Sequence, residues 1–108
     1  METTSPTLYL SFDDGPIPNL TDWVLDTLKC SNIQASFFCV GDNISKNTAI
    51  FERILTEGHT VGNHTYNHIK GFKSTVNEYL ANTEKCEVLT KTKLFRPPYG
   101  QMKRSQYN

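Results

Sequence analysis

The chain has 108 residues, which suits one small domain. At 37% hydrophobic residues, with six Phe, five Tyr and one Trp, it can build a core and is too apolar for a disordered tail. Eleven basic residues balance eleven acidic ones, so no net positive field gathers nucleic acid, and there is neither a polybasic block for anionic lipid nor an apolar run long enough to span a bilayer.

Met1 to Leu10 lacks the charged-then-apolar pattern of an export signal. That fits a cytoplasmic protein or one whose signal lies outside this sequence, and localisation stays open. Leu8 to Phe12 reads as a buried strand ending at the turn Asp13-Asp14-Gly15-Pro16. Asn19 or Thr21 could cap a first helix with Leu20, Val24 and Leu28 on its apolar side and Trp23 beside them. Ile33 to Val40 is a second buried strand, closed by Gly41. A second helix runs from about Thr48 to Glu57, with Gly58 as its stop. His59 to Asn63 is a short third strand. Thr75-Val76-Asn77-Glu78 is a capping box that opens a third helix to about Leu89, with Val76, Tyr79, Leu80 and Thr83 on one side. Leu94-Phe95-Arg96 is a fourth strand, stopped by Pro97-Pro98. Such alternation predicts a parallel α/β sheet of about four strands with three helices, with chemistry at the C-terminal strand ends. Cys30, Cys39 and Cys86 are odd in number and widely spaced, which predicts reduced, partly buried thiols. Sequons at Asn19, Asn43 and Asn63 matter only in a eukaryotic secretory pathway.

Three polar clusters follow predicted strands. In Ser11-Phe12-Asp13-Asp14-Gly15-Pro16, adjacent carboxylates repel unless a cation lies nearby, and at a tight turn they can point apart. In His64-Thr65-Tyr66-Asn67-His68, histidines four apart on a helical turn could grip one ion. In Arg96-Pro97-Pro98-Tyr99-Gly100, an arginine can orient a carboxylate and a stiff loop can present a backbone N–H to an oxyanion. Each alone is an ordinary turn, histidine pair or loop. Together they supply complementary parts: Asp14, His64 and His68 as a two-His-one-carboxylate set, Asp13 as a base, Arg96 as its orienter, and Tyr99 as an oxyanion donor. His59 lies at the entry to the third strand and belongs to the opposite end as a structural residue. The donor set suits Zn²⁺ and also Co²⁺, Ni²⁺, Mn²⁺ or Fe²⁺.

The motifs SFDDGP, HTYNH and RPPYG resemble the first three signature motifs of the polysaccharide deacetylase domain (NodB-homology, carbohydrate esterase family 4). ASFFCVG and GHTVGNH resemble that family's second and third strands, and the resemblance runs from about Leu8 to Gly100. It implies a partial (β/α) barrel. It implies Asp13 as catalytic base, Asp14, His64 and His68 as metal ligands, Arg96 paired with the base, and the Tyr99 amide beside the oxyanion. It further implies removal of N-acetyl groups from chitin oligomers, peptidoglycan or related glycans, by a water that the metal acidifies and Asp13 deprotonates. Smaller amides are substrates elsewhere in the wider superfamily.

The family's general acid is a histidine in a later motif, and Gln101 to Asn108 do not match it. The chain therefore reads as a truncated single domain, residues 1–108, whose activity is in question; the alternative is an inactive metal- or glycan-binding remnant. A half-barrel would leave the edge beside Leu94 to Arg96 unpaired, which predicts self-association or a partner chain.

Overall fold

The computed structural model describes residues 10–70 and 74–100. Three parallel strands form the sheet in the order β1-β2-β3: β1 Ser11–Asp13, β2 Ser36–Cys39 and β3 Thr60–Asn63. The helices are α1 Leu20–Ser31, α2 Gly41–Lys46, α3 Thr48–Thr56 and α4 Val76–Thr90, followed by a short 3₁₀ turn at Pro98–Gly100. The partial α/β architecture expected from the sequence is present. The fourth strand is reduced to one parallel bridge, Asn63 to Phe95, because Pro97 and Pro98 end the segment at once. Leu8 and Tyr9, the expected start of β1, lie outside the described residues.

Strand alternation decides which side chains meet the helices. Phe12, Phe37, Cys39 and Val61 turn to one face and pack with Val24, Leu25 and Leu28 of α1, Ile44 of α2, and Phe51 and Ile54 of α3. Ser11, Asp13 and Phe38 turn to the other face. Phe12 stacks on Phe37 with ring centroids 5.3 Å apart. The α1 stripe differs from the expected one. Leu25 is fully buried, whereas Leu20 and Trp23 are 55% and 64% exposed. The helix starts at Leu20, with the Asn19 N–H donating to the Asp22 carboxylate, and that start rotates Thr21, Val24, Leu25 and Leu28 inward. On α4 the capping box is as read, Thr75 Oγ1 accepting from the Glu78 N–H and Glu78 Oε1 from the Thr75 N–H. Its buried face is Tyr79, Cys86 and Thr90, with Leu80 exposed.

The sequence predicts no helix where α2 lies and ends the second strand at Gly41. Gly41 instead begins a helix, and it must be glycine because a Cβ would come within 2.4 Å of the Tyr66 ring. Gly58 ends α3 with φ +87°, a left-handed conformation that a side chain would strain. Arg53 of α3 bridges to Asp22 and Asp26 of α1 and to Glu57. Cys30, Cys39 and Cys86 are free thiols, and burial pushes Cys39 up to about 12 and Cys86 to about 11. Among the sequons, Asn63 is buried, and the Asn43 and Asn63 side-chain amides are committed to the carbonyls of Asp14 and Thr83.

His59 sits at the N-terminal end of β3, away from the polar clusters, with 8% of its surface exposed. Its Nδ1 accepts from the Ala35 N–H at 3.0 Å. Burial lowers its pKa from the ordinary 6.5, against a smaller opposing pull from Glu57. The unfolded chain therefore takes up this proton first as pH falls, and stability is lost as pH drops through 6.5 toward the folded value. Replacing His59 with Asn keeps an acceptor for Ala35 but removes the titration. Urea unfolding at pH 7.5 and 5.5 is expected to show a smaller acid loss in His59→Asn than in the parent; equal losses would contradict the burial.

Candidate metal and catalytic site

The site is built where the sheet ends. Beyond β1 the pairing continues into the loop: the Asp14 N–H donates to the Phe38 carbonyl, and the Val40 N–H to the Gly15 carbonyl. Asp14 adopts φ 76°, which sends its side chain away from that of Asp13. Asn43, from α2, donates its amide to the Asp14 carbonyl at 2.6 Å, and Asn47 donates to the Asn43 and Pro16 carbonyls. The Asp13-Asp14 turn is thereby held from the side as well as along the strand.

The expected helical turn at His64–His68 is absent. Thr65 and His68 both have positive φ, 62° and 55°, and the segment belongs to no helix. The histidines converge all the same. Asp14 Oδ1 lies 3.3 Å from His64 Nε2 and 2.9 Å from His68 Nε2, and the rings meet edge-on with centroids 4.9 Å apart. The ligand atoms of all three residues lie within 4.8 Å of one another. His64 is buried, His68 partly buried and Asp14 exposed, so the cluster opens to one side.

His64 Nδ1 is 2.7 Å from the Arg96 carbonyl oxygen. A carbonyl can only accept, so Nδ1 carries the hydrogen and Nε2 is the ring nitrogen turned toward Asp14. A lone pair facing a carboxylate oxygen is repulsive unless a cation or a proton lies between them. The donor set, the orientation of its His64 ring and its open side all fit a divalent metal ion.

Arg96 also reaches Asp13. Its Nη1 donates to Asp13 Oδ1 at 2.9 Å and to Ser11 Oγ at 3.2 Å, while the guanidinium lies 4.2 Å from the centroid of the Phe38 ring. Among the described residues, no hydrogen bond reaches the other Asp13 oxygen. Tyr99 has φ 59°; its ring meets His68 edge-on at 4.7 Å, and Lys70 Nζ lies 5.0 Å from its centroid. Asp13, Asp14, His64, His68, Arg96 and Tyr99, with Pro97, line one open cavity of about 480 Å³. All six residues singled out in the sequence therefore share one wall. His59 does not join them.

Residues outside the three clusters support this wall. Asn63 Oδ1 accepts from the Thr65 N–H, and its amide donates to the Thr83 carbonyl. Asn82 on α4 bonds to Tyr66 and Asn67. A signal existed for Asn82, because asparagine is a poor choice inside a helix.

A family model described as polysaccharide deacetylase matches residues 1–107. The chain is 41% identical over 103 residues to a peptidoglycan-N-acetylglucosamine deacetylase of Bacillus cereus, a match covering 90% of this chain and 38% of that relative. A peptidoglycan-N-acetylglucosamine deacetylase of Listeria monocytogenes is 39% identical over 104 residues, covering 90% and 22%. Among solved structures, a peptidoglycan N-acetylglucosamine deacetylase superposes with TM-score 0.86 at 39% identity, over 89% of this chain and 48% of the other. Peptidoglycan deacetylase PdaC from Bacillus subtilis follows with TM-score 0.81 at 32% identity, over 89% and 50%. The chain spans half or less of the length of each of these relatives.

The Asp13 and Arg96 side chains are 37% and 42% exposed, so their ion pair contributes little to stability, about 1 kcal/mol or less. A double-mutant cycle of Asp13→Asn and Arg96→Met, read by chemical denaturation, is expected to give a coupling energy no larger than about 1 kcal/mol. Several kcal/mol would make the pair a structural joint instead of a device for aiming a carboxylate.

Proposed function

This chain belongs to the polysaccharide deacetylase family, and on that premise we propose that it carries the metal-binding and proton-accepting part of a hydrolase that removes N-acetyl groups from an N-acetylated glycan. The observation that carries the reading is the shared wall. A carboxylate held by Arg96 stands beside an Asp/His/His set, and both face the same cavity. The named activities of the relatives support the substrate class: deacetylation of peptidoglycan N-acetylglucosamine and of chitooligosaccharides.

Asp14, His64 and His68 would hold the ion, with His64 Nδ1–H fixed on the Arg96 carbonyl so that Nε2 faces the metal. A divalent ion bound there supplies Lewis acidity toward the acetamide oxygen and lowers the pKa of water. Asp13 acts as general base: with Oδ1 engaged by Arg96, its second oxygen accepts the proton of the water attacking the acetamide carbon. Arg96 orients Asp13 and is itself steadied by Ser11 and the Phe38 ring. The Tyr99 N–H, in a loop stiffened by Pro97 and Pro98, is the candidate donor to the developing oxyanion. When the C–N bond breaks, acetate departs and the glycan amine takes up a proton. The chain's three histidines do not supply that proton: two are in the ligand set and His59 is at the far end of β3. That observation favours a second reading, a metal- or glycan-binding unit that does not turn over by itself.

With Zn²⁺ or Co²⁺ added, the chain is expected to release acetate from an N-acetylglucosamine oligomer. Asp13→Asn should cut the rate by about 10²–10⁴ and leave metal affinity intact, whereas His68→Ala should remove the affinity. Stoichiometric metal binding without acetate supports the second reading. Calorimetry that finds no divalent-metal affinity defeats both.

A further inference from the structure

We infer that Asn82 is the positioning residue that sets the spacing of His64 and His68, and with it the affinity of the site for a divalent cation. The inference rests on the ion-binding reading above and adds a residue on a different element.

The two histidines are held by different means. His64 directly follows β3: its N–H donates to the Cys39 carbonyl at 3.0 Å, and its ring is buried against the Arg96 carbonyl. His68 comes four residues later on backbone that belongs to no helix or strand. The two residues just before it, Tyr66 and Asn67, both point their N–H groups at Asn82 Oδ1, each at 2.8 Å. Two N–H donors converge on that atom, so it is the amide oxygen with both lone pairs engaged. Asn82 Nδ2 returns a bond to Asn67 Oδ1 at 2.9 Å. The loop carbonyls are taken from the other side, where the Gly41 and Asp42 N–H groups donate to Thr65 and Tyr66.

Among the described residues, Asn82 makes no side-chain hydrogen bond to its own helix. It lies inside α4, where asparagine is disfavoured, and its side chain bonds outward to the loop. Thr65 and His68 hold left-handed conformations that a free chain would leave. Thr65 has its own brace, since its hydroxyl accepts from the Ile69 N–H and its N–H donates to Asn63 Oδ1. His68 is held through Asn67, and Asn67 through Asn82. Alanine at position 82 would improve helix propensity while untying the loop, which separates a positioning role from a structural one.

The test is Co²⁺ titration followed by visible absorption, with Zn²⁺ calorimetry, on the parent chain and on Asn82→Ala, Asn82→Asp and Asn82→Gln, together with circular dichroism of the metal-free proteins. Asn82→Ala is expected to keep the parent helix content and to weaken Co²⁺ binding about tenfold, the low end for groups that support metal ligands. Asn82→Asp keeps an acceptor for both N–H groups and should return affinity to within about threefold of the parent. Asn82→Gln keeps the amide but displaces it by a methylene and should weaken binding. Parental affinity in Asn82→Ala, or equal losses in the Ala and Asp variants, overturns the inference while the ion-binding reading stands. Should Asn82→Ala not fold, parental affinity in Asn82→Gln overturns it instead. A parent chain that binds no Co²⁺ overturns both.

Discussion

The backbone and side chain of Arg96 work in opposite directions on the same wall. Its carbonyl accepts from His64 Nδ1 and fixes which nitrogen of that ring faces Asp14, while its guanidinium grips Asp13. One residue thereby couples the orientation of the His64 ring to the aim of the neighbouring carboxylate. Its position is set by very little chain. The Asn63 N–H donates to the Leu94 carbonyl, and the Arg96 N–H to the Asn63 carbonyl, on either side of a single bridge. The prolines that cut the strand short at this point also stop Arg96 from being carried onward into a longer ladder.

The same economy governs the other elements. Parallel pairing aligns Asp13 with Phe38 and Phe38 with Gly62 across the sheet. Phe38 serves as the floor on which the Arg96 guanidinium lies, on the face opposite Phe12 and Phe37. A Cβ on Gly62 would come within 2.4 Å of the Phe38 ring, so that floor exists only because its neighbour has no side chain. Hydrophobic burial on the helix-covered face fixes the strands. Period-two alternation then delivers the polar residues to the other face and to the strand ends.

The fold was legible wherever a local rule and the tertiary outcome agree. The Thr75–Glu78 capping box, the glycine end of α3, and the strands around Phe37 and Val61 are written in short stretches of chain. The site residues were legible because three clusters follow strand ends in a parallel sheet. The illegible parts were decided across space. The phase of α1 depends on what covers Leu25. Helix α2 depends on the Tyr66 ring lying over Gly41. The spacing of His64 and His68 is compatible with a helical turn, but Thr65 and His68 take left-handed conformations that no spacing rule reveals.

Those conformations also say where the rigidity of the site comes from. Seven non-glycine residues have positive φ among those described, and three of them, Asn19, Asn32 and Lys91, cap helices. The other four are Asp14, Thr65, His68 and Tyr99: two of the three residues of the Asp/His/His cluster, a residue between the histidines, and the loop residue facing them. Each such conformation costs of order 1–3 kcal/mol, the more so for β-branched Thr65. The apolar core lies on the other face of the sheet and cannot hold them directly. What touches the first three or their neighbours is a set of side-chain amides: Asn43 on the Asp14 carbonyl, Asn63 on the Thr65 N–H, and Asn82 beside Asn67. These amides are polar groups spent on backbone that the regular elements leave unpaired. The wall is therefore braced by these side-chain hydrogen bonds, while the hydrophobic core beneath supplies the folding free energy and sets the level of the strand ends.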